Sequence, residues 1–175
     1  MAESESAIII RMEKVDPSSG FSVILDGGWA REASLTEEEH MGLASKLRQL
    51  ESITVVNDNL TDVGLAHLTR NRMLTHLSLS GTKISDEGLK SLVRLPRLNQ
   101  LWLNGLRISG EGIRTLYSAK RLKRLGISDT PLPKGTLQML DPIRLKHLKI
   151  RNARISEEEL EAIGELRSLE TLDLS

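Results

Sequence analysis

Residues equipped for reaction chemistry are few in this chain, and they are widely spaced. Four histidines stand at positions 40, 67, 76 and 147, and there is no cysteine. No two histidines have metal-ligand spacing, no carboxylate pair accompanies them, and no Ser-His-Asp order comes with a nucleophile turn. The absence of thiols excludes disulfide frameworks, thiolate metal sites and cysteine nucleophiles. Gly27-Gly28 lacks the Lys-Ser/Thr continuation of a phosphate loop and reads as a turn. The acids at 37–39 and 157–159 follow Thr36 and Ser156. They fit helix starts, with a capping hydroxyl and carboxylates against the positive end of the dipole. The residues therefore point to a non-enzymatic protein with no cofactor and no metal. Contact chemistry is better represented. Trp102 is one of only four aromatic residues, and a long stretch around it is basic.

What positions these residues is a repeat. Leu-x-x-Leu-x-Leu at Leu74, Leu77 and Leu79 is followed by Ile84 and then by Ser85-Asp86-x-Gly88-Leu89-x-x-Leu92. The same skeleton begins at 50, 74, 98, 122 and 145, and a sixth copy begins at 169, giving a period of 24 residues with one of 23. Within each copy the Leu alternation predicts a short strand. A turn follows, at Gly81-Thr82, Gly105-Leu106 and Asp129-Thr130, and then a Ser or Thr that caps a short helix. One strand and one helix per copy cannot bury their apolar faces alone. Stacked like on like, they close a continuous aliphatic core. Leu132-Pro133 and Asp141-Pro142 make the fourth copy irregular.

Before the repeats, Ile8 to Met12 and Phe21 to Leu25 alternate around a Pro/Gly turn and predict a β-hairpin. Thr36 with the apolar stripe Leu43, Leu47 and Leu50 predicts a helix over 35–49. Residues 1–49 thus read as an N-terminal capping segment, and 50–175 as the repeat array with five full copies and a sixth strand. The chain stops at Leu174-Ser175 as that strand completes. This predicts either a piece of a longer array or self-association through the C-terminal edge.

With its Leu spacing and its Ile-Ser/Thr-Asp-x-Gly-Leu segment, the chain from Leu50 onward resembles the leucine-rich-repeat family. The resemblance implies an α/β fold, a right-handed solenoid with a parallel sheet on the concave face and short helices on the convex face. It also implies a binding surface rather than an active site. The family's usual loop Asn, which pairs with backbone groups, is replaced by Asp58, Thr82, Leu106, Thr130 and Ala153. The Gly column holds at Gly64, Gly88 and Gly112 and gives way to Thr136 and Glu159.

On the concave face the strand residues between the leucines form three outward columns. The middle one reads Thr54, Ser78, Trp102, Gly126, Lys149, Asp173. Beside it lie Ser52, His76, Gln100, Arg124, His147 and Thr171, and on the other side Val56, Ser80, Asn104, Ser128, Arg151 and Ser175. Trp102 stands between small neighbours, an arrangement suited to anchoring an interface. The partner-binding set predicted here is Trp102, His76, Ser78, Gln100, Asn104, Arg124, His147, Lys149 and Arg151, with a protein or peptide as ligand. The competing reading is an anionic ligand. Residues 94–154 hold 14 Lys/Arg against three acids, whereas 155–175 hold seven acids and only Arg167, all within a net charge of zero. That segregation suits an acidic protein surface. Nucleic acid is disfavoured, because a single outward Trp offers little base stacking. A self-assembling structural piece is the third reading. No apolar run approaches membrane-spanning length, so a soluble cytoplasmic protein with no membrane partner is expected.

Overall fold

The structure, a computed structural model, describes residues 10–13, 21–26, 50–56, 60–153 and 155–175. Its strands form one eight-stranded sheet in chain order. They are β1 (Ile10–Glu13), β2 (Phe21–Asp26), β3 (Leu50–Val56), β4 (His76–Ser80), β5 (Gln100–Asn104), β6 (Arg124–Ser128), β7 (His147–Arg151) and β8 (Thr171–Asp173). β1 and β2 are antiparallel, as the alternating runs predicted, and β2 then pairs parallel with β3. From β3 to β8 every neighbour is parallel, and each residue faces its counterpart one repeat away, as in Leu77↔Leu101↔Leu125↔Leu148↔Leu172. The helix predicted over 35–49 lies outside the described residues.

The register puts one leucine of every copy directly behind the last. Leu77 and Leu101 are 0% exposed and Leu125 and Leu148 1%. Leu79, Leu103, Ile127 and Ile150 form a second buried column beside them. Against this floor pack the short helices α1 (Asp62–Leu68), α2 (Asp86–Ser91), α3 (Gly110–Thr115) and α4 (Glu157–Gly164). The fourth copy has no α-helix; a 3-10 helix spans Leu137–Ile143 instead. Strand ends turn through left-handed residues at Gly81, Gly105, Asp129 and Asn152, with φ of 63, 63, 50 and 52°. Only residue types that tolerate positive φ occupy that column.

The Ser/Thr-Asp-x-Gly segment is an inter-repeat clamp. Asp62 Oδ1 accepts the Ser85 N–H at 2.8 Å and Oδ2 accepts the Ser85 hydroxyl at 2.5 Å. One copy later, Asp86 holds Ser109 in the same way, at 2.8 and 2.6 Å. Each serine meanwhile accepts an N–H of its own helix, from Glu87 and from Glu111. The glycine three residues on is required by the carboxylate: a Cβ on Gly88 would overlap Asp62, and one on Gly112 would overlap Asp86. In the next copy the whole set changes together. Gly110 replaces the Asp, so the Pro133 that replaces the Ser leaves no N–H wanting a carboxylate, and Thr136 can carry a side chain where glycine stood. Between the fourth and fifth copies the link runs backwards. Buried Glu159 reaches from α4 to accept the N–H groups of Gly135 and Leu137, at the start of the 3-10 helix.

The loop column where the resembled family keeps Asn is filled unevenly. Thr130 Oγ1 accepts the Leu106 N–H at 3.2 Å and donates to the Ser128 carbonyl at 3.0 Å. Leu106 is simply buried, and the buried Thr82 hydroxyl has no hydrogen-bond partner among the described residues.

Candidate functional site on the concave sheet

Strand pairing stacks the three outward columns as the sequence arranged them: His76↔Gln100↔Arg124↔His147, Ser78↔Trp102↔Gly126↔Lys149 and Ser80↔Asn104↔Ser128↔Arg151. The position of the Trp102 ring differs from the expectation of an indole standing clear between short neighbours. It folds sideways across β6, its six-membered ring occupying the space a side chain at 126 would need. Gly126 is consequently buried, on a face where its column neighbours are half-exposed. The indole gains apolar cover without losing its outer surface, because only glycine lets it lie flat on the neighbouring backbone.

The folded indole makes one wall of a depression of about 250 Å³. Arg124, His147, Lys149, Thr171 and Asp173 line it, above Leu125 and Leu148. Lys149 and Asp173 form an ion pair across β7 and β8. That hydrogen bond, then one from Ser175, holds the Asp173 carboxyl below the usual aspartate range. His147 Nδ1 lies 2.6 Å from Thr171 Oγ1. Of the predicted set, the structure brings Trp102, Arg124, His147 and Lys149 together. Ser78, Gln100 and Asn104 stand half-buried beside them in register, and Arg151 is exposed at the strand end. His76 lies two strands from Arg124 and outside the depression. Sequence reasoning missed Thr171 and Asp173 as site residues. The signal was there: Asp173 is one repeat beyond Lys149 in the same column, with the opposite charge.

His76 is held by the residue before it and by the preceding copy. The Thr75 hydroxyl donates its single proton to the Glu51 carbonyl at 2.9 Å, so the 2.6 Å contact with His76 requires Nδ1–H as the donor. Burial holds the imidazole below its ordinary pKa of 6.5; the hydrogen bond to the Glu51 backbone and the Glu51 charge oppose this, and Arg124 reinforces it. Among the described residues no group of three or more His, Asp or Glu is placed to hold a metal ion, and no helix is long and apolar enough to cross a membrane.

Comparisons with known proteins agree with the fold. Residues 70–93 match the family model described as Leucine Rich repeat. No curated protein matches the sequence. Among solved structures, "Leiomodin-1 Actin-Binding Site 2 (ABS2)" is similar at a TM-score of 0.60 and 17% identity, over 78% of this chain and 90% of that one. An internalin C2 from Listeria monocytogenes is similar at 0.54 and 17%, over 73% of this chain and 62% of its own. The receptor chain of a TLR13–ssRNA13 complex is similar at 0.58 and 20%, over 86% of this chain and 22% of its own. Repeats, sheet and the match over residues 70–93 together give the chain a leucine-rich-repeat fold.

Proposed function

We propose that the chain is a non-enzymatic protein-recognition module that seats a protein or peptide segment on the concave sheet, with Trp102 as anchor. The observation that carries this is the indole laid on Gly126 beside Arg124 and the Lys149–Asp173 pair. An apolar surface bordered by charged groups, on a rigid sheet, matches the composition of interface centres, where Trp and Arg carry most of the binding energy. The similar leiomodin-1 structure is named for actin binding, which supports recognition of protein by this fold. Within this reading, residues 1–49 cap the array and residues 50–175 supply the surface.

The test is affinity capture with Trp102→Ala against wild type, followed by affinity and salt dependence for the captured partner. Loss of the anchor should weaken binding by about 2 kcal/mol or more. Stability should fall by only about 1–2 kcal/mol, the scale for a partly covered apolar side chain. A second reading, an anionic ligand held by Arg124, Lys149 and Arg151, draws on the same face and on the single-stranded RNA bound by the similar receptor. It requires the cations to be essential, Trp102 dispensable, and binding to fall steeply with salt.

A further inference from the structure

A second charged surface lies on the rim of the solenoid, where each copy enters its strand. Arg97, Arg121 and Arg144 each immediately precede the first leucine of their copies. Backbone bonds two residues on keep them in step: Lys123 N–H to the Asn99 carbonyl and Lys146 N–H to the Lys123 carbonyl, both 2.9 Å. Three arginine positions therefore follow one another at the repeat spacing, about 4.8 Å per strand, the third, Arg144, on a left-handed backbone with φ 56°. Lys120 and Arg167 stand one position further out. With Arg144, Ile143, Ser168 and Asp141 they line a depression of about 840 Å³.

All five of these cations are exposed, and none forms an ion pair among the described residues. Elsewhere the same stacking pairs opposite charges from one copy to the next: Lys134 with Glu158, Lys146 with Glu170 and Lys149 with Asp173. On the rim, like charges are stacked instead. Like charges directly opposite one another repel and destabilise the free protein. We propose that this rim docks an acidic segment of a protein partner, whose carboxylates pair with the Arg97–Arg121–Arg144 ladder and reach Lys120 and Arg167.

Two observations favour protein over nucleic acid. The neighbouring aromatic ring, Tyr117, has the Lys120 ammonium 5.1 Å from its centroid, so that face is covered rather than open to a base. Val93, one repeat before Tyr117 and four residues before Arg97, is 53% exposed and offers apolar contact to a side chain, not to a phosphate. This surface is independent of the concave site and would stand if that reading failed.

The experiment is fluorescence anisotropy of the whole chain at low salt with a labelled peptide of Glu and Asp interspersed with Val. An oligouridylate and phosphatidylserine vesicles serve as competing probes. Arg121→Gln/Arg144→Gln should weaken peptide binding about tenfold or more, given the strength of charge-assisted hydrogen bonds. Lys90→Gln/Arg114→Gln removes the same charge from paired helical positions and should leave binding unchanged. The rim variant should melt at or above the wild-type temperature, since it relieves repulsion. Trp102→Ala should bind the peptide as wild type does. Equal losses in the control variant, tighter binding of oligonucleotide or vesicles, no peptide binding at all, or a rim variant that melts early would each overturn the proposal.

Discussion

At the residue scale, His76 shows how a neighbour's single proton fixes a titrating group. Thr75 gives its proton to the Glu51 carbonyl, leaving His76 to donate. The imidazole pKa lies below 6.5 chiefly through burial. A folded value lowered below the unfolded one favours the neutral ring; the stability this brings is complete above pH 6.5 and is lost as pH falls through the folded value. Proton-detected NMR titration should therefore give His76 a midpoint under 6.5, and a midpoint above it would mean that Glu51 outweighs burial. The outward position of His76 was legible from the 24-residue spacing. Its proton was not, because Glu51 and Thr75 belong to different copies that meet only when stacked. Trp102 divides in the same way: spacing gave its face, but the direction of its ring depends on the space over Gly126.

At the scale of the element, the sequence marked helix starts at Ser85, Ser109 and Ser156, and each serine does cap a helix. It did not reveal that the following Asp serves the next copy rather than its own helix, because that partner is 23 residues away. The clamp predicts a thermodynamic coupling. Gly112→Ala should cost about 1–3 kcal/mol, since its methyl meets the Asp86 carboxylate and disrupts partly buried polar bonds. Asp86→Ala should cost a similar amount by leaving the Ser109 N–H without its acceptor. In the double variant the clash is gone and alanine favours helix by about 0.5–1 kcal/mol over glycine, so the two losses should not add. Chemical denaturation of the four proteins measures this, and strict additivity would show that Gly112 is not there for the carboxylate. Gly110 with Thr136 is that double state already present in the chain.

At the scale of the whole molecule, stability comes from columns that each copy continues. Leu101 is fully buried between Leu77 and Leu125, so Leu101→Ala should cost about 2–5 kcal/mol in denaturant melts. Ser78→Ala, one residue out of phase and half-exposed, should cost little; equal losses would mean the strand phase is wrong. The clamps divide the array unevenly. Asp62 and Asp86 tie the first three copies forward, Glu159 ties the fifth back to the fourth, and the boundary between the third and fourth has neither. That boundary is the one Trp102 crosses to lie on Gly126. Across it the sheet, the core, the Thr130 contact and the packing of α3 against the 3-10 helix hold the two sides without a carboxylate clamp. A ligand gripping the indole on one side and Arg124 or Lys149 on the other would span that boundary and supply from outside the tie that no carboxylate makes there.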